Sequence, residues 1–183
     1  MMLKILIGVA VIAIILVVVV ATRPATFHLE RSITIAAPAK TVFAQVNDFR
    51  AWQAWSPWEG MDPNLKRNYE GPPSGNGTAY SWSGNNKVGE GKMTIEQSDP
   101  GSKIVIKLEF LRPFKATNAA TFTFTPVAEG TKVSWAMDGC NGFISKAFHM
   151  MMDMDKLVGK DFERGLTAMK VQAEKATMAN AGE

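Results

Sequence analysis

Between residues 65 and 138 six segments alternate apolar and polar side chains, and after Gly142 the apolar period lengthens from two to about 3.6. Alternation marks half-buried strands, and three- and four-residue steps mark a helix with one apolar stripe, so this order dictates an antiparallel meander followed by a long helix. Strands are expected at 65–70, 78–83, 88–97, 103–111, 116–126 and 131–138, separated by turn clusters such as Gly71-Pro72-Pro73-Ser74-Gly75-Asn76-Gly77 and Asp99-Pro100-Gly101. Ile104, Ile106, Leu108 and Phe110 fall on one sheet face, with Lys103, Lys107 and Glu109 on the other. The long helix is expected over 143–176, with Phe143, Ala147, Met151, Met154, Val158, Phe162, Leu166 and Met169 along its stripe. Ahead of the meander, Phe27, Leu29, Ile33 and Ile35 alternate with polar residues as one more strand, interrupted near an edge by Arg31. Pro38 then opens a short helix carrying Val42, Phe43 and Val46, and a second short helical piece over 49–55 stops before Pro57. One strand, two short helices, six strands and a long helix make an α+β chain.

The 17 residues from Ile5 to Ala21 carry no charge, which meets the lower limit of ~17–25 residues for a bilayer-spanning helix. Valine and isoleucine cover every face, whereas a soluble helix needs a polar stripe. A cleaved signal peptide is the rival, but its apolar region runs only ~7–15 residues. The expected organisation is an anchor over 3–22, a folded body over 26–177 and a frayed tail over 178–183. Lys4 on one side and Arg23 and Arg31 on the other nearly balance the positive-inside rule. The body is placed on the extracytoplasmic side because short N-terminal anchors act as export signals.

The chain of 183 residues has a net charge of +3 and no basic run, so there is no phosphate track and no nucleic-acid partner is expected. One cysteine, Cys140, excludes an internal disulfide, and two histidines, His28 and His149, leave too few ligands for a histidine-rich metal site.

Trp52, Trp55 and Trp58 recur every three residues around Ser56-Pro57. They read either as one aromatic wall of a ligand cavity or as a plug closing the sheet. Tyr80 with Trp82, Met93 with Ile95, and Phe122 with Phe124 each share a strand face, and with Phe110, Trp135 and Met137 they form either a cavity lining or an ordinary core. In His149-Met150-Met151-Met152-Asp153-Met154, thioethers and imidazole are soft copper ligands, but residues 100° apart on a helix do not converge on one ion. Glu59, Asp62, Asp155 and Asp161 are the candidate acids, with Asn118 and Tyr80 as hydrogen-bonding groups. Asp155 and Asp161 sit on different sides of a helix and read as solvated charges beside Lys156 and Arg164. The glycine-rich stretches at 71–77 and 84–91 open no helix and read as hairpin turns rather than phosphate cradles.

The run Ile35-Ala36-Ala37-Pro38 with Val42-Phe43, then Asp48-Phe49, Trp52-Gln53-Ala54-Trp55-Ser56-Pro57-Trp58, Val88-Gly89-Glu90-Gly91 and Gly159-Lys160-Asp161-Phe162-Glu163-Arg164-Gly165-Leu166, resembles the START and Bet v 1-like superfamily labelled polyketide cyclase or dehydratase. The resemblance spans about 27–176. It implies a helix-grip fold, a curved antiparallel sheet wrapped around the C-terminal helix, with a cavity between them. Trp52, Trp55, Trp58, Tyr80, Trp82, Met93, Phe110, Asn118, Phe122, Trp135, Met137, Met151, Met154 and Val158 are then the expected lining. With no acid/base pair evident, and neither cofactor nor metal expected, the leading reading is a membrane-anchored binder of an apolar or amphipathic small molecule. A cyclase- or dehydratase-type enzyme and a cochaperone-like protein-binding module are the alternatives.

Overall fold

The computed structural model describes residues 2–22, 24–140 and 154–181. Helix α1 (Met2–Ala21) is exposed along most of its apolar length, with Ile12 61% and Ile14 63% accessible, and Val20 near its end is buried. Twenty residues at 1.5 Å rise reach ~30 Å, the thickness of a bilayer's hydrocarbon core. Among the described residues it is the one helix long and apolar enough to cross a membrane, with mean hydropathy 3.1 over Lys4–Ala21.

Strand β1 (Thr26–Ile35) leads through Pro38 into α2 (Ala39–Asn47). The helical piece expected over 49–55 is a single 3-10 turn, Ala51–Ala54, because Asp48 is already extended and the chain must turn back under α2. The meander follows as β2 (Lys66–Glu70), β3 (Ala79–Ser83), β4 (Glu90–Asp99), β5 (Lys103–Arg112), β6 (Ala116–Val127) and β7 (Gly130–Cys140). Each of the six lies within about two residues of its expected bounds. All seven strands form one antiparallel sheet in the order β1-β7-β6-β5-β4-β3-β2, so β1 is an edge strand, as Arg31 indicated.

Helix α3 (Met154–Ala181) carries the apolar stripe onward through Phe162, Leu166, Met169 and Ala173, all buried. It continues through most of the segment expected to fray, and just before that segment Thr177 Oγ1 donates to Ala173 O at 3.0 Å. The beginning of the expected helix, including Phe143, Ala147 and Met151, lies outside the described residues. α3 is fastened along β1: Arg31 reaches Asp155 and Glu163 at 2.9 Å each, Lys170 Nζ donates to Thr34 O, and Ala36 N donates to Glu174 Oε1. Fully burying a Leu or Phe is worth ~1.5–3 kcal/mol, so the stripe rather than these exposed ion pairs holds the helix down.

The core is unevenly distributed. Val42, Phe43 and Val46 of α2, with Ile104, Phe122, Phe124, Val133 and Met169, fill the space at the end of the sheet where β1 finishes. Trp135 stacks on Phe162 at 3.9 Å and 9°, with Phe122 stacked on its other side at 4.9 Å. Beyond this partition, toward the end where β1 begins, the described residues of the sheet and α3 leave a space between them.

Candidate ligand cavity

That unfilled space is a cavity of about 450 Å³. Its floor follows from register, because residues directly opposite in antiparallel strands share a face. One row across the sheet runs Tyr80, Met93, Leu108, Asn118, Gly139, Phe27, and the next runs Trp82, Gly91, Phe110, Ala116. Gly91 and Gly139 leave room for aromatic rings. A Cβ on Gly91 would stand 2.5 Å from Trp82, and one on Gly139 would stand 2.4 Å from Phe27. Val158 and Asp161 of α3 form the roof, Trp52, Trp58, Glu59 and Leu65 one wall, and Lys87, Val88, Pro113, Phe114 and Cys140 the rim.

The tryptophans diverge because two of them finish α2. The last carbonyls of a helix have no partner within it. Here Trp52 Nε1 donates to Val46 O at 3.1 Å and Trp55 Nε1 to Gln45 O at 2.9 Å. Those bonds hold Trp55 in the core, whereas Trp58 continues to the cavity.

One wall is polar. Tyr80 Oη donates to Glu59 Oε1 at 2.8 Å, and Arg67 Nε donates to Glu59 Oε2 at 2.7 Å. Burial, reinforced by the hydrogen bond to Glu59, pushes the Tyr80 phenol far above its ordinary value, so it stays a proton donor. The same carboxylate raises Arg67 through its hydrogen bond. Tyr69 stacks on Tyr80 at 5.1 Å, and Gln53 Nε2 donates to the Tyr69 hydroxyl at 2.9 Å. Arg67 Nη2 also stands 2.7 Å from Glu59 Oε2, so that oxygen is taken up by the guanidinium, whereas Oε1 has the Tyr80 phenol as donor and a further lone pair for a ligand hydroxyl.

Residues 26–174 match the family described as "Polyketide cyclase / dehydrase and lipid transport". The chain belongs to that family. No curated protein matches it in sequence. Among solved structures it is similar to a Chromobacterium violaceum protein, at TM-score 0.58 and 16% identity over 83% of this chain and 99% of that one. A Staphylococcus aureus protein of unknown function gives TM-score 0.63 and 9% identity over 84% and 96%. StfQ, a di-domain ARO/CYC from the steffimycin biosynthetic pathway, gives 0.58 and 16% over 87% of this chain and 53% of StfQ. At these identities the likeness is one of fold, and it agrees with the helix-grip architecture the sequence resembles.

Within this polyketide cyclase/dehydrase family member, Trp52, Trp58, Tyr80, Trp82, Met93, Phe110, Asn118, Met137 and Val158 of the expected lining face the cavity. Trp55, Phe122 and Trp135 do not. All three are buried in the core, Phe122 and Trp135 within the partition described above and Trp55 at the end of α2. Met151, the Met154 side chain and the His149–Met152 stretch weighed for copper lie outside the described residues.

Of the candidate acids, Glu59 and Asp161 reach the cavity. Asp161 is paired with Arg164, as its spacing indicated. Asp62 accepts from the backbone N–H of Asn64 at 2.9 Å and of Asn85 at 2.7 Å, so it ties the 84–89 loop down instead of facing a ligand. Asp155 pairs with Arg31 across the sheet edge. Sequence reasoning missed Phe27, Lys87, Val88, Pro113, Phe114 and Cys140, which gather at one end of the sheet, and the partnership of Arg67 with Glu59. Alternation placed Phe27 on the inner face, but only the pairing of β1 with β7 brings it to the cavity.

Proposed function

We propose that the chain is a membrane-anchored binding protein for a hydrophobic or amphipathic small molecule held between the sheet and α3. The observation that carries this reading is the cavity itself, floored by aromatic and aliphatic rows and bearing a polar cluster at Glu59, the usual composition of a small-molecule site. The family's description includes lipid transport, which fits such a lining. α1 supplies the anchor, and the body is placed on the extracytoplasmic side for the export reason given above. A reporter fused after Glu183 and active only in the cytoplasm would reverse that side.

The test is saturable binding of fluorescent fatty-acid and isoprenoid probes by the full chain in detergent, with native mass spectrometry for a co-purified molecule. Ala116→Trp, which fills the floor, should abolish probe binding in a folded protein. Absence of saturable binding across both probe classes would remove this function.

A cyclase- or dehydratase-type activity is the second reading, favoured by one observation: Glu59 and Tyr80 place a carboxylate and a phenol together on the cavity wall. StfQ is described as an ARO/CYC. If Glu59→Gln retains ligand affinity but stops turnover of a bound polyketide, the enzymatic reading prevails over the carrier.

A further inference from the structure

The cavity mouth and the attachment point of α1 share one end of the sheet. Thr26, where β1 begins, pairs with Cys140 at the end of β7, Ala116 at the start of β6 pairs with Phe110, and Arg112 at the end of β5 pairs with Glu90. The rim residues Pro113 and Phe114 form the β5–β6 hairpin tip at this same end. Between Ala21 and Thr26 the chain extends less than ~20 Å, so α1 in a bilayer holds the mouth against that bilayer's surface.

The hairpin has the composition of an interfacial contact. Phe114 is 62% exposed and Leu111 49%, although neither is needed to close the core. Arg112 and Lys115 flank the tip in sequence and Lys87 lines the same rim, with Arg112 itself donating to Gly84 O at 2.8 Å. The carboxylates at this end are already engaged: Glu90 faces Arg112 at 3.8 Å, and Asp138 accepts from His28 at 2.7 Å. An aromatic tip with Lys87 and Lys115 beside it suits an anionic lipid surface, where the ring enters the headgroup boundary and the lysines meet phosphates.

We propose that this sheet end is a second membrane contact, in which the hairpin at 112–115 dips Phe114 into the anionic bilayer that carries α1 and opens the cavity directly onto it. The proposal rests on the anchor reading of α1. An apolar ligand then passes between bilayer and cavity without crossing bulk water.

The full chain with Cys140→Ser is reconstituted into phosphatidylcholine–phosphatidylglycerol vesicles and spin-labelled at Phe114→Cys or, at the opposite sheet end, Glu129→Cys. The label at 114 is expected to show a several-fold higher ratio of oxygen to nickel-chelate collisions than the label at 129. Lys87→Glu with Lys115→Glu should return it to the aqueous value. A chain that floats with the vesicles while both labels remain aqueous overturns this proposal and leaves the anchor standing. A chain that does not float overturns both, and an unchanged depth in the double lysine variant overturns the anionic requirement.

Discussion

Arg31 lies across Gly159. A Cβ at that glycine would stand 2.3 Å from the Arg31 guanidinium, and only its absence lets the arginine cross the intervening turn of α3 to bridge Asp155 and Glu163 on either side of it. Glycine inside a helix costs ~1 kcal/mol relative to alanine. Exposed ion pairs return only ~0.2–1 kcal/mol each, and the carboxylates here are 63% and 60% exposed. Gly159→Ala should therefore be nearly neutral in the wild type but stabilise an Arg31→Ala background by about 1 kcal/mol. A double-mutant cycle by urea denaturation measures the coupling, and additive effects would refute it.

Tyr80→Phe should destabilise the protein by ~1–3 kcal/mol, because it strips a donor from the buried Glu59 carboxylate while leaving the ring stack in place. Thermal unfolding of the full chain in detergent checks this. A neutral outcome would mean that water replaces the phenol.

Trp135 Nε1 is buried without a hydrogen-bond partner among the described residues, whereas Trp52 Nε1 satisfies a helix-end carbonyl. Trp135→Phe should accordingly be milder than Trp52→Phe by about 1 kcal/mol, since only the second leaves a buried carbonyl unpaired. Equal losses in denaturant midpoints would show that ring volume alone governs both sites.

The His28 imidazole is held above its ordinary value of 6.5, first by its hydrogen bond to Asp138 and then by that residue's charge. A raised value in the folded state means the stabilisation is fully present below the unfolded value and is lost as pH rises through the folded one. Wild type should therefore lose a small increment of stability relative to His28→Gln as pH rises from about 6.5 through the raised folded value. NMR titration of the imidazole in both variants gives the midpoint, and a value at or below 6.5 would contradict the pairing.

The strands were legible because turn clusters separate them and alternation persists through each, and the switch to a helical period announced α3. The cavity was less so. Periodicity says which residues face inward but not which are opposite one another, and a register shift between Ile95 and Gln97 re-aims one side of β4. Trp55 and Trp58 look equivalent by spacing. They part because the 3-10 turn ends at Ala54 and Trp55 is claimed by the Gln45 carbonyl. Glu59 was named among the acids from its type alone. Nothing local links it to Arg67, which reaches it from the far edge of the sheet.

The pairing of the first strand with the last sets an order of events in synthesis. His28 and Asp138 are 110 residues apart in sequence yet bonded side by side, so β1 leaves the ribosome long before its partner exists. At ~5–20 residues per second that interval is on the order of ten seconds. Throughout it, Leu29, Ile33 and Ile35 have neither β7 nor α3 to cover them, while strands β2 to β7 can pair with immediate neighbours as they emerge. Closure of the sheet thus waits for β7, and the docking of α3 along β1, up to 138 residues away in sequence, follows it; nascent chains truncated before residue 130 should leave the first strand open to proteases.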